Sequence, residues 1–205
     1  MGILMKKFFI ASLILGCVGM PYAHASLVYR LNPTQMTQLA KEVRKGEVVS
    51  TWTSPDPVNK MIYTYVKIRV EETFKGVPRS EVLLRQPGGS YTYADTKTTY
   101  RQKVFGMETF QKGEKGIFFI EYAKDGAPSV MFEGKHQILK DPQTGSEIAH
   151  QPFSRDVHYV NKELKSMHVE HATFSKNQVR NLQELVQEIQ SAVQNEKGGN
   201  TQQKQ

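Results

Sequence analysis

The chain has 205 residues, with 27 Lys and Arg against 20 Asp and Glu, a formal charge of +7 and 39% hydrophobic residues. That is room for one ordinary domain with a full core, and a balance too mildly basic to point to nucleic acid. A single cysteine, Cys17, excludes a disulfide scaffold, so burial and backbone pairing have to stabilise the fold.

Residues 1–25 have the pattern of a signal peptide. Lys6 and Lys7 form a basic start, Phe8 to Gly19 is an apolar run short for a membrane span, and Ala23-His24-Ala25 offers small residues for cleavage before Ser26. The chain is therefore expected to be exported, to a periplasmic or extracellular space. Ile14-Leu15-Gly16-Cys17 offers an alternative, a lipoprotein anchored through Cys17. Removing the leader takes Lys6 and Lys7 but no acid, leaving 25 basic against 20 acidic residues. In an exported protein this favours anionic envelope surfaces over nucleic acid. No later stretch is apolar for long enough to be a transmembrane segment.

Asn32-Pro33-Thr34-Gln35 reads as a helix start, with Asn as cap, Pro first and Gln third; Met36, Leu39, Ala40 and Val43 follow at helical spacing. A strand near Gly46 to Thr53 carries Trp52, which is expected to pack in the core or at a barrel rim. The most regular stretch is Met61 to Gly76. There Ile62, Thr64, Val66, Ile68 and Val70 alternate with Tyr63, Tyr65, Lys67, Arg69 and Glu71, a long strand with one buried face. Glu81 to Gln86 is a third strand, ended by Pro87-Gly88-Gly89. Ser90 to Gln102 reads as a polar, tyrosine-rich connection, and Lys103 to Gly106 as a brief strand.

Gly116 to Tyr122 contains Ile117-Phe118-Phe119-Ile120 and is expected to be buried on both faces. Ser129 to Phe132 is a separate strand, then His136 to Lys140 and Glu147 to His150 form a hairpin around Asp141-Pro142-Gln143-Thr144-Gly145. Gln151 to Phe174 carries no clear pattern beyond an irregular strand near Val157 to Val160. An amphipathic helix begins after Ser175, with Val179, Leu182, Val186, Ile189 and Val193 on its stripe and Leu185 and Ala192 widening it. Residues 197–205 are Gly-, Asn-, Gln- and Lys-rich and read as a disordered tail.

The expected fold is therefore mainly β: a small five-stranded OB-like barrel over residues 26–174 with an added hairpin and an irregular end. A short N-terminal helix and a C-terminal amphipathic helix over 175–196 complete it. The order of landmarks, Ala40 and Gly46-Glu47-Val48-Val49, then Thr64 to Val70 with Phe74-Lys75-Gly76, then Pro87-Gly88-Gly89, carries a resemblance. Over roughly Leu39 to Ile148 it resembles a diffuse family of uncharacterised exported bacterial proteins. Its core is similar to the netrin-like OB domain of tissue inhibitors of metalloproteinases. Those inhibitors use an N-terminal cysteine and disulfides; the mature chain has neither, so the resemblance implies the fold and transfers no site residues.

Tyr91, Tyr93 and Tyr100, with Arg101 and Lys103, form the best binding candidate, because tyrosine offers flat apolar area with a polar tip and arginine adds cation–π and anion pairing. The ligand would be an envelope polymer, a peptide or a protein. His158, His168 and His171, with Glu170, are a weaker metal set without His-Glu-x-x-His spacing. No Gly-x-Ser-x-Gly and no phosphate loop follows Gly88-Gly89, so no cofactor is expected. The sequence thus points to a non-enzymatic binding module, with a metal-dependent hydrolase using the histidines, or an envelope assembly subunit using the helix stripe, as the other readings.

Overall fold

Two strands of equal length carry the architecture. β2, Glu42–Pro55, and β3, Ile62–Lys75, have 14 residues each and pair antiparallel from Val43 opposite Lys75 to Pro55 opposite Ile62. The computed structural model describes residues 27–29, 31–104, 106–152, 158–160 and 179–202. β3 alternates as its sequence predicts, with Ile62, Val66 and Ile68 buried and Arg69 and Glu71 exposed. Register shifts at Val43/Arg44, Lys45/Gly46 and Val48/Ser50 bulge β2 and bend the pair. At Gly46 a Cβ would stand 2.3 Å from the carbonyl oxygen of Arg69, so only glycine lets the two strands approach there.

Ahead of the pair lie β1, Leu27–Tyr29, and α1, Pro33–Leu39. The Asn32 side chain accepts from Gln35 N, and the Gln35 side chain accepts from Asn32 N, the reciprocal cap that the sequence predicts. After it come β4, Glu81–Pro87, β5, Gly89–Thr92, β6, Thr99–Gln102, and β7, Lys115–Tyr122. Then follow β8, Pro128–Lys140, β9, Glu147–His150, β10, His158–Val160, β11, Val179–Asn181, and α2, Leu182–Gln202.

The main sheet has seven strands in the order β11-β9-β8-β7-β2-β3-β4, all antiparallel. β5 and β6 form a separate hairpin, and β1 pairs with β10 in parallel. The sheet has a core on each side. Ile117 and Phe119 of β7 join Met36, Val43, Leu185 and Ile189 under the helices. Phe118 and Ile120 join Val48, Val66, Ile68, Leu84 and Val130 on the other side. β7 is thus buried on both faces, as its unbroken apolar run implies.

The second core exists because the sheet curls. The Gln86 amide of β4 donates to the Val130 carbonyl of β8 at 3.3 Å, yet no strand ladder joins β4 to β8. Among the described residues the expected five-stranded barrel is therefore a curled antiparallel sheet without closure. Close to the turn that joins β3 to β4, Arg44 is fully buried. Its guanidinium donates to Glu42 at 2.7 Å, Thr73 at 2.9 Å and the Val77 carbonyl at 2.7 Å, and Tyr122 Oη donates to the same Glu42 at 2.6 Å. Every polar edge of that buried ion pair has a partner, which is the condition for tolerating it in a core.

Several expectations change. Ser90 to Gln102 is not a mere connection but the β5-β6 hairpin, and Lys103, Val104 and Gly106, the described residues of the next expected strand, lie in none. Ser129–Phe132 and His136–Lys140 are one strand, bent where Glu133 takes a left-handed φ of 55°. The C-terminal helix begins at Leu182, not after Ser175. Val179 belongs to β11 and is exposed, because Val179–Asn181 pairs with Ile148–His150 and the Asn181 side chain caps the helix at Gln183 N and Glu184 N. Helix also continues from Lys197 to Gln202, where a disordered tail is expected. Leu182, Leu185, Ile189, Ala192 and Val193 of the predicted stripe are buried.

Candidate ligand-binding surface

The β5-β6 hairpin lies over one face of the β2-β3 tip. Thr53 Oγ1 donates to the Ser90 carbonyl at 2.6 Å, Thr64 Oγ1 donates to the Gly88 carbonyl at 2.7 Å, and Gln102 Oε1 accepts from Ile62 N at 2.9 Å. Gly89, at φ 142°, is the point of closest approach: a Cβ there would meet Thr64 Oγ1 at 2.7 Å and Thr53 Cγ2 at 2.8 Å. Threonines on the strands and glycines on the hairpin are what allow this fit.

Of the five expected binding residues, the structure gathers three. Tyr91 and Tyr100 are opposite each other in the hairpin, and Tyr93 stands edge-on to both, with ring centroids 5.0 Å from Tyr91 and 5.5 Å from Tyr100. Tyr91 and Tyr93 are half-buried, and Tyr100 is 57% exposed. Such edge-to-face contacts fix the rings while leaving aromatic area for a ligand. Arg101 pairs with Ser90, so alternation turns it to the face opposite the tyrosines. Lys103 follows the hairpin and is exposed.

The opposite face of the same tip carries a second aromatic group, which the sequence reading does not single out. Trp52 is 45% exposed, which removes the core from the expected core or barrel-rim packing and leaves the rim. Register places Trp52, Tyr65 and Arg85 in one row across three strands. The Trp52 and Tyr65 rings lie 5.4 Å apart and near parallel, at 11°. The Arg85 guanidinium sits 4.7 Å over the ring of Tyr63 and is held by a hydrogen bond to Asp125, which raises its pKa and lowers that of Asp125. The signal for this row is the polar face of β3; only the pairing register, which one strand cannot state, adds Trp52 and Arg85.

Beneath the sheet lies a buried charge cluster. Lys135 Nζ donates to the Thr109 carbonyl at 2.6 Å and is 2.7 Å from Glu114 Oε1, in an orientation that makes an ion pair without a hydrogen bond. Glu108 lies 4.0 Å from the same ammonium, and burial pushes its pKa up to about 7, with Glu133 and Glu114 adding to the rise and Lys135 opposing it. Burial lowers His136 to about 4, with the Arg180 charge adding to the drop and Glu188 opposing it. Among the described residues no three His, Cys, Asp or Glu side chains are grouped to hold a metal ion. His158 lies in β10, while His168, Glu170 and His171 lie outside the described residues.

No protein-family model matches the sequence, and no curated protein is similar to it.

Proposed function

We propose that this chain is an exported, non-enzymatic binding module of OB type, whose ligand meets the aromatic tip of β2, β3 and the β5-β6 hairpin. The observation that carries the reading is the gathering of Trp52, Tyr63, Tyr65, Tyr91, Tyr93 and Tyr100, from three separate stretches, at one end of the sheet, none of them buried. Aromatic surface left partly in water forgoes burial energy, and its concentration at one end is the pattern of a recognition surface. The OB type is supported by the order β4-β3-β2-β7-β8, which takes the five strands of that barrel in its own sequence and leaves it open between β4 and β8. Export rests on the leader pattern of residues 1–25, and the partner is then an envelope polymer, peptide or protein.

Binding is favoured over assembly through the C-terminal helix, because the stripe that such a role would use is buried in the chain's own core. The test is retention of mature chain, Ser26 to Gln205, on immobilised envelope extract. Tyr100→Ala and Tyr93→Ala are expected to abolish retention. In each variant the unfolding free energy should fall by no more than about 1 kcal/mol, the worth of its ring contacts. Equal loss of retention and of stability in both variants would make these residues structural and end the reading.

A further inference from the structure

The tip that carries the aromatic residues also carries an open strand edge. β7 pairs with β2 only from Glu42 to Glu47, and the last backbone bonds on that side join Val48 to Glu114 and Gly113. From Ser50 to Ser54, β2 is paired with β3 alone among the described residues. Alternate residues of this stretch direct their N–H and C=O groups away from β3. Sheet edges are ordinarily guarded by charges, proline or bulges. Here the bulge at Val48/Ser50 and Pro55 bound the stretch, and nothing guards its middle: Val48 to Pro55, VVSTWTSP, has no charged residue.

We infer that this edge is a docking site for an extended segment of another protein, which adds to β2 as a further antiparallel or parallel strand. The inference rests on the binding-module reading and supplies the class of its partner. An added strand alternates its side chains between the two sheet faces. On one face they meet Trp52; on the other they meet the side of the hairpin, fixed there by the Thr53–Ser90 bond. Two observations choose the occupant. Five residues span about 17 Å, and two copies meeting along that line alone would fall well short of the about 800 Å² per partner of a stable dimer. The mature chain is also net basic, and the hairpin itself carries Lys97 and Arg101 against Asp95. A second copy is repelled, and a segment alternating apolar with acidic residues is attracted.

Trp52 is the only tryptophan, so its emission reads the site directly. The probe is an acetylated octapeptide of alternating valine and glutamate, added to the mature chain at low salt. The expected result is a saturable blue shift of Trp52 emission, with slowed amide exchange confined to Ser50–Ser54. Methylation of alternate backbone nitrogens in the same peptide is expected to weaken binding at least about tenfold, since it removes the donors that a ladder needs. No shift at millimolar peptide, or binding that methylation leaves unchanged, overturns strand addition. Doubling of the mass in light scattering without peptide also overturns it, in favour of self-pairing. If a neutral oligosaccharide shifts Trp52 and the peptide does not, strand addition fails while the binding-module reading survives. If the peptide binds but retention on envelope extract ignores Tyr100→Ala, the edge stands and the hairpin site falls.

Discussion

Glu108→Gln should expose a pH dependence that the native protein conceals. Glu108 has its pKa raised to about 7 in the fold from 4.5, so between those values the folded chain holds a proton that the unfolded chain releases. Its contribution is fully present below pH 4.5 and is lost as pH rises through 7. His136 has its pKa lowered to about 4 from 6.5, so the unfolded chain holds the extra proton and stability is gained as pH rises over that window. At about 1.4 kcal/mol per pH unit of displacement, each group changes the stability by about 2 kcal/mol between pH 4.5 and 6.5, in opposite directions. The native protein should therefore be nearly flat there as far as these two groups decide. Glutamine fills the Glu108 site without titrating, so the variant should gain about 2 kcal/mol over the same interval. Urea unfolding at half-unit steps of pH measures both profiles, and subtracting one from the other cancels carboxylates common to both, such as Glu188. Parallel profiles would refute the reasoning, because they would mean that Glu108 ionises as freely in the fold as in the unfolded chain.

Three further outcomes test the architecture. Arg44→Ala leaves the Glu42 carboxylate buried with only Tyr122 as a polar partner and should cost about 3–5 kcal/mol by urea unfolding; a loss under about 1 kcal/mol would place the pair in solvent. Gly89→Ala forces a Cβ against Thr64 and Thr53 at a left-handed φ and should lift the hairpin, seen as faster amide exchange in β5 and β6 with β7 unaffected. Trp52→Ala should cost only about 1 kcal/mol, the worth of one ring stack, where a core tryptophan would cost about 3–5 kcal/mol.

What one sequence reveals depends on how far apart the deciding groups lie. The α1 cap is legible because Asn32 and Gln35 are three residues apart, and the α2 stripe because its spacing lies within one helix. β8 misleads because Gly134 looks like a break, whereas the neighbouring Glu133 absorbs the bend at positive φ and pairing resumes at Lys135. The β5-β6 hairpin is obscure because Thr92, Thr99 and Tyr100 are polar enough on both faces to hide a period of two. Val179 fits the helical stripe by spacing, but the ladder to β9 claims it first. The Glu108, Glu114 and Lys135 cluster has no local signature, since its members converge only when β8 crosses behind the loop before β7.

A mismatch in strand length produces the candidate surface. β2 and β3 have 14 residues each, while β7 has eight and pairs with β2 only as far as Glu47. Among the described residues no helix covers the excess of β2 and β3, since α1 and α2 pack at the opposite end around Val43 and Ile117. One face of that projecting tip is partly covered by the hairpin, and the other holds the Trp52–Tyr65 stack. A fold needing only stability would end β2 where β7 ends, because Ser50 to Pro55 order backbone at about 1–2 kcal/mol per residue while none of their own side chains is buried. The extension is therefore better explained by contact with another molecule than by folding. Deleting Ser50 to Ser54 together with Thr64 to Lys67 would remove core Val66 and so prove nothing. The cleaner test is Thr51→Glu, which guards the edge at an exposed position with a charge of the peptide's own sign and should leave the urea midpoint in place while abolishing the peptide-induced shift of Trp52.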